Sequence, residues 1–264
     1  MMREHVVLQF SDLHLFTDRR RELKEVRTWD RWLQVLADAR ARFPSPDLIV
    51  VTGDVAHDEL PSTYESLAET LGDWRTRCRF LPGNHDLRRG FRWAFPELFP
   101  AAHGAGSLDL DAPLQFSIGL GRWRLIGLDT HLPGQVAGRM HDAQSEWLAN
   151  QLRDFSSSPT LLFQHHPPLA VGTPWLDPLM LENPEALAQR LDGAFQVSAI
   201  FTGHVHQERC LAWEELEVFT TPSTAIQFLP GAAEFAIEHA PPGYRVIRLA
   251  DANWATEVMR VRVP

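Results

Sequence analysis

Short apolar runs recur along the chain, and most of them stop at a residue that carries chemistry. "HVVLQF" (5–10), "DLIVVT" (47–52), "CRFLP" (78–82), "TLLFQ" (160–164) and "VSAIFT" (197–202) are too short for helices and predict buried strands. Other stretches show helical spacing. Residues 29–43 place Trp29, Trp32, Leu33, Leu36, Ala39 and Phe43 on one face. A second helix is predicted over 61–74, opened by Pro61 in its first turn, and a third over 142–155 with Asp142 as N-cap. A fourth covers 184–193; 114–129 predicts a pair of strands, and 209–221 and 244–262 are strand-like. Two irregular segments remain, 166–182 and 222–243, and loops of that length in a folded domain tend to be functional. With no repeat or linker, 1–264 reads as one domain of α/β class, with two sheets and helices outside.

Composition narrows the classes. A chain of 264 residues with 44% hydrophobic and 22% charged residues can build a substantial core. A net charge of −9 argues against a nucleic-acid or anionic-membrane surface. Cys78 and Cys210, far apart, exclude a disulfide framework or a thiolate zinc site; both read as buried apolar thiols in a reducing compartment. The N-terminal apolar run is too short for a signal peptide, and no run approaches the ~18 apolar residues of a membrane span. A soluble cytoplasmic protein is expected.

The strand ends then define candidate chemistry. Ser11-Asp12-Leu13-His14 follows the first strand, Gly53-Asp54 the second and Gly83-Asn84-His85-Asp86 the third. His165-His166-Pro167 and Gly203-His204-Val205-His206 follow the two later strands. In open α/β sheets, ligands bind at the carboxyl ends of strands. If the backbone stays extended, Asp12-x-His14 and His204-x-His206 each turn both side chains to one side. Imidazoles mixed with carboxylates suit iron, manganese or zinc better than the all-oxygen cages of magnesium or calcium. His57, His103, His131, His141 and His239 stand alone and read as surface or loop residues. "GLGRWR" (119–124) lacks the last glycine of a dinucleotide loop.

The ordered series "DLH … GDVAHD … GNHD … HHPP … GHVH" resembles the calcineurin-like metallophosphoesterase superfamily. "GTPWLDPLMLEN" (172–183), "TPSTAIQF" (220–228) and "PPGYRVIRL" (241–249) further resemble its bacterial class III cyclic nucleotide phosphodiesterases. Ala225 stands where those relatives have Cys, and Gln164 where some carry a further His. The resemblance implies a four-layer αββα sandwich with a dinuclear metal centre at the strand C-terminal ends. It implies Asp12, His14, Asp54 and His206 on one ion, and Asp54, Asn84, His165 and His204 on the other, with Asp54 bridging. His165 is preferred to His166 because the family ligand lies two residues before the proline. The ions implied are iron or manganese, with zinc or cobalt as alternatives.

The activity implied is hydrolysis of 3′,5′-cyclic AMP to 5′-AMP by a metal-bridging hydroxide. Alternatives are a phosphodiesterase of broader range, acting on 2′,3′-cyclic nucleotides or glycerophosphodiesters, and a non-catalytic scaffold of the same fold. His14, Asp54, Asn84, His85 and His206 are expected against the substrate. His85, not a ligand, would donate a proton to the leaving 3′-oxygen, and Asp86 would steady it. Two divalent ions less the charges of Asp12 and Asp54 leave +2, matched by one hydroxide and one diester anion. Trp175, Phe228 and Tyr244 are candidate partners for the base, and Arg88, Arg89 and Arg92 candidate attractors of the anion or a solvated charged face. The protein is expected to work as a monomer or homodimer, away from membranes and nucleic acids.

Overall fold

A computed structural model describes residues 4–99, 109–251 and 253–262. Side chains alternate along each strand, so a strand buried on both faces feeds two different cores. In the first sheet Leu8, Phe10, Ile49, Val51 and Phe80 point outward to one cluster, whereas Val7, Leu48, Val50 and Leu81 point inward to another. In the second sheet Leu161, Phe163, Ala199 and Phe201 point inward to that same cluster, and Ile126, Leu162, Ile200 and Val218 outward to a third. Helices Thr28–Arg42, Pro61–Leu71 and Arg88–Ala94 cover the outer face of the first sheet. Helices Asp142–Asp154 and Pro184–Leu191 cover the second. The result is a four-layer αββα sandwich.

The first sheet runs in the order Trp254–Arg260, Gly243–Leu249, His5–Phe10, Leu48–Thr52, Cys78–Leu81, its last three strands parallel. The second runs Arg209–Trp213, Leu216–Thr220, Val197–Thr202, Thr160–Phe163, Trp123–Gly127, Phe116–Leu120, with its middle four parallel. Parallel strands end on the same edge, so the chemistry-bearing turns of both sheets gather there. Between the sheets, Phe163, Phe201 and Phe219 stack across neighbouring strands at centroid distances of 5.3 Å and 5.3 Å. Nearer that edge the interior turns polar. Buried Gln9 donates to Thr52 Oγ1 at 3.0 Å and to the Thr202 carbonyl at 3.3 Å, and accepts from Thr221 at 2.8 Å. Every group in that bridge needs a partner in so dry a place, and together they tie one sheet to the other.

Several local expectations are corrected. Leu33 is exposed, and Val35 takes an inward place in the helix instead. The second helix ends at Leu71, and a 3-10 turn, Gly72–Arg77, completes the stretch. Asp142 is the first residue of its helix; His141 is the N-cap and no side chain caps it. Helix Arg88–Ala94 was not anticipated, because only Arg88, Gly90 and Phe91 of its residues are buried. Cys78 is buried but Cys210 is exposed, since Arg209–Trp213 is an edge strand. Tyr244 packs on Phe10 in the outer core and donates to Asp38 at 2.9 Å, away from the site, so it is no partner for a base. His103 lies outside the described residues.

Candidate metal centre

The turns that follow the strands of the first sheet stay paired beyond the sheet itself. The amide of His14 donates to the Asp54 carbonyl, that of Leu15 to Val55 and that of His57 to Leu15, each at 2.8 Å. The backbone is not extended here, contrary to the expectation drawn from the two-residue spacing. Asp12, His14, Asp54, His204 and His206 all adopt positive φ, between 47° and 69°. That left-handed region costs a non-glycine residue roughly 1 kcal/mol or more. Five such residues in one site are tolerated because the surrounding hydrogen bonds leave them no alternative.

Glycine beside these residues serves close approach. A Cβ on Gly83 would lie 2.2 Å from Asp54 Oδ1, and one on Gly203 2.0 Å from Ser11 Oγ. Gly83 has no positive φ, so its value is the missing side chain rather than a swing of the backbone.

Asp54 stands between two groups of imidazoles. Its Oδ2 is 3.6 Å from His14 Nε2 and its Oδ1 3.6 Å from His165 Nε2, while Oδ1 also accepts the His85 amide at 2.9 Å. On one side, His206 Nε2 is 3.4 Å from Asp12 Oδ1 and 3.1 Å from His14 Nε2. The opposite ring nitrogens are held: His206 Nδ1 donates to the Ile226 carbonyl at 2.8 Å and His165 Nδ1 to the Thr52 carbonyl at 2.6 Å. Those protons on Nδ1 leave the Nε2 lone pairs free and convergent. Asp12 accepts the His204 amide at 3.1 Å on both oxygens, which joins the two sheets through the site.

On the other side, the buried atoms Asn84 Oδ1, His165 Nε2 and His204 Nε2 have no hydrogen-bond partner among the described residues. Such buried atoms, two of them on histidines that face the Asp54 carboxylate, are costly unless something positive sits among them. Burial opposes ionisation of Asp12 and Asp54, but His206 and His165 beside Asp12, and His165 and His85 beside Asp54, hold both below the usual carboxylate range. Burial, reinforced by His206 and His85, keeps His14 far below the ordinary histidine value, and burial with His165 pushes His204 down to about 3. Ionised carboxylates together with the imidazoles of His14 and His204, held neutral by burial, make a donor set suited to borderline divalent cations. Within each of three groups, Asp12, His14, Asp54 and His206; His165, His166 and His204; and His14, His57 and His85, the ligand atoms lie within 4.8 Å of one another, and the first two meet at Asp54. The residues present therefore fit a pair of ions.

His166 differs from His165. Both of its ring nitrogens are used, Nδ1 by Thr130 Oγ1 at 2.8 Å and Nε2 by the Val136 carbonyl at 3.0 Å. Nothing is left for a metal.

A family model described as calcineurin-like phosphoesterase matches residues 5–208. The chain belongs to the calcineurin-like phosphoesterase family. It is 36% identical over 97% of its length to the 3′,5′-cyclic adenosine monophosphate phosphodiesterase CpdA of Escherichia coli K12, covering 89% of that protein. It is 30% identical to the 3′,5′-cyclic-nucleotide phosphodiesterase alr5338 of a Nostoc species, over 97% of this chain and 92% of that one. Among solved structures, a dimetal phosphatase of Danio rerio superposes with a TM-score of 0.63 at 16% identity, covering 98% of this phosphoesterase and 99% of that chain, which bears on the fold alone.

Other expected residues of this phosphoesterase take different places. Asp86 does not reach His85. Its carboxylate accepts the amides of Val55 at 3.1 Å, Ala56 at 3.1 Å and Gly83 at 3.0 Å, and the Tyr64 hydroxyl at 3.0 Å. It pins the third turn to the second, and burial with the Asp54 charge pushes it up to about 6. The ring of His85 makes no side-chain hydrogen bond among the described residues; it meets His14 edge-on at 5.1 Å and stacks on His57 at 4.5 Å. Phe228 lies flat against His206, 4.0 Å between centroids and 7° apart, with Trp175 and Phe235 edge-on to it. Arg88 forms a buried two-pronged pair with Asp129, Arg89 pairs with Asp111 and Arg92 binds the carbonyls of Leu110, Ala112 and Pro113, so their guanidinium groups are engaged by the protein.

Two of the histidines read as surface or loop residues are not exposed, and one of them, His57, joins the site. His131 is buried, its Nδ1 without a partner among the described residues, and burial and Arg88 push it down to about 4. His57 touches both His14 and His85, and burial followed by His85 lowers it to about 4. His57 lies inside the "GDVAHD" run, where the strand-end reading used only Gly53 and Asp54, and His131 sits in no short motif.

Proposed function

We propose that the chain hydrolyses 3′,5′-cyclic AMP to 5′-AMP at a dinuclear metal centre, and that residues 1–264 act as one catalytic domain. The observation that carries the metal assignment is the pair of buried nitrogens His165 Nε2 and His204 Nε2 facing Asp54, which with buried Asn84 Oδ1 lack a hydrogen-bond partner among the described residues. The nucleotide assignment is supported by the names of relatives that match almost the whole chain. In this reading Asp12, His14, Asp54 and His206 hold one ion, and Asp54, Asn84, His165 and His204 the other. Iron or manganese suits these nitrogen and oxygen donors, with zinc or cobalt as substitutes. When bound, such a pair supplies a water-derived nucleophile at neutral pH and positive charge for the phosphoryl oxygens.

The chain's own residues do the rest. His14, Asp54, Asn84 and His206 form the floor on which the diester sits. His85, whose ring makes no side-chain hydrogen bond among the described residues and stacks on His57, donates to the phosphate and gives a proton to the 3′-oxygen as the P–O3′ bond breaks. Asp86 serves by fixing the turn that carries Asn84 and His85. Phe228 braces His206 and, with Trp175, forms an apolar wall for the base. Among the described residues no helix is long and apolar enough to cross a membrane. A cytoplasmic enzyme, monomeric or homodimeric, acting on a small diester rather than on nucleic acid or a membrane, accords with the net charge of −9.

The test is a kcat/KM panel of 3′,5′-cyclic AMP, 3′,5′-cyclic GMP, 2′,3′-cyclic AMP and an aryl phosphodiester, with Mn²⁺ or Fe²⁺ restored. Preference for 3′,5′-cyclic AMP is expected. A large preference for 2′,3′-cyclic AMP would overturn the substrate assignment. His85→Ala should lower kcat about 10²- to 10⁴-fold with metal content unchanged, and loss of metal in that variant would refute the donor role.

A further inference from the structure

His57 occupies a place that neither the metal ligands nor the donor residue explains. It is carried by the turn after Leu48–Thr52, which pairs with the turn after His5–Phe10 through the His14–Asp54, Leu15–Val55 and His57–Leu15 backbone hydrogen bonds. That pairing sets its side chain beside two site residues at once. Its Nδ1 lies 3.0 Å from His14 Nδ1, and its ring stacks on His85 at 4.5 Å with 23° between planes. Phe16 closes on it edge-on at 5.0 Å, and the Arg21 guanidinium covers Phe16 at 4.4 Å.

Proton placement follows from the neighbours of His14. Its Nε2 faces His206 Nε2 at 3.1 Å and Asp54 Oδ2 at 3.6 Å, so a ligand lone pair belongs on that atom. The His14 proton then sits on Nδ1, where His57 Nδ1 is the acceptor in reach. His206 and His165 solve the same problem with backbone carbonyls; His14 uses a side chain. His57 therefore carries its own proton on Nε2, and its face, flat against His85, restricts the tilt of that ring.

We infer that His57 is a positioning residue with two separable contacts, an acceptor that orients His14 for metal and a stacking face that orients His85 for proton donation. This rests on the reading given under Proposed function. Partners of metal-bound histidines set both tautomer and ring angle, and losing one costs about 10- to 100-fold in metal affinity or activity.

Two substitutions divide the contacts. His57→Phe keeps a ring for His85 to stack on and removes the acceptor. His57→Asn keeps an oxygen in the position of Nδ1 and removes the ring. The measurements are Mn²⁺ equilibrium dialysis with metal analysis on the full chain, and kcat and KM for an aryl phosphodiester at saturating Mn²⁺. Thermal midpoints of the metal-free proteins control for folding. His57→Phe is expected to weaken Mn²⁺ binding about 10-fold or more. His57→Asn is expected to bind Mn²⁺ like the parent, with kcat reduced by on the order of 10-fold and KM unchanged.

Equal behaviour of the two variants, whether both parent-like or both impaired alike, would overturn the inference. So would three equivalents of Mn²⁺ in the parent falling to two in His57→Phe, which would make His57 a ligand of a third ion. Failure of the underlying reading shows elsewhere, as a parent chain that binds no Mn²⁺ or hydrolyses no diester.

Discussion

Replacing Asp86 by alanine deprives four buried donors of their acceptor: the amides of Val55, Ala56 and Gly83 and the hydroxyl of Tyr64. At about 1.5 kcal/mol for each donor left unpaired, the loss is roughly 6 kcal/mol. An opposing gain comes from removing a buried charge. The Asp86 carboxyl rises from 3.8 to about 6, through burial first and the Asp54 charge second. At ~1.4 kcal/mol per pH unit, ionising it at neutral pH costs about 3 kcal/mol. The donors win, and a net destabilisation of about 3 kcal/mol is expected at pH 7.5. The sign of its pH dependence follows. A folded pKa above the unfolded one means that the native state takes up a proton as pH falls from about 6 to about 4, so this group adds stability there. The penalty for Asp86→Ala should therefore be larger at pH 5 than at pH 7.5. Urea unfolding of the metal-free chain, with the slope compared between proteins, measures both quantities. A penalty under about 1 kcal/mol, or one that shrinks at pH 5, would refute the assignment of Asp86 as the hub of the two turns.

Three further outcomes separate the roles of neighbouring groups. His165→Ala should lose one of two Mn²⁺ equivalents, whereas His166→Ala should keep both and lose stability by about 1–3 kcal/mol, because its two hydrogen bonds end on Thr130 and Val136; metal analysis and urea unfolding check both. Gly83→Ala drives a Cβ into Asp54 Oδ1 and should abolish tight Mn²⁺ binding in equilibrium dialysis, and retention of parent affinity would contradict the close approach. His131 and His204, held at about 4 and about 3 in the folded metal-free chain, add stability at pH above 6.5 that is lost as pH falls through that window; His131→Gln should flatten the slope of the urea midpoint between pH 6.5 and 4.5.

Much of the architecture could be read from alternation alone. Leu8 and Phe10 against Val7, or Ile200 against Ala199 and Phe201, already assign each strand two buried faces, which is the mark of an inner layer. The strand-end residues were legible because Asp, His and Asn are expensive at the end of an apolar run unless they are used. What stayed hidden was conformation and partnership. Nothing in "DLH" or "GHVH" announces left-handed backbone, since that is imposed by hydrogen bonds from residues far away in sequence. His165 and His166 are chemically alike in the chain, and only Thr130, Val136 and the Thr52 carbonyl distinguish them. Asp86 looked like a servant of His85 because it is adjacent, yet adjacent side chains in a tight turn diverge. His57 stood inside the "GDVAHD" run, but its role was hidden because its two partners lie 43 and 28 residues distant.

The ladder of Phe163, Phe201 and Phe219 has a reach beyond the apolar interior it fills. Asp12, His14, Asp54 and Asn84 grow from one sheet, and His165, His204 and His206 from the other, with Phe163 and Phe201 just ahead of the turns that bear His165 and His204. The thickness of that aromatic filling acts as a calliper on the gap between the two groups. Trading Phe163 or Phe201 for a smaller apolar residue is therefore expected to change that gap while leaving Asp12, His14, Asp54, Asn84, His165, His204 and His206 themselves unaltered.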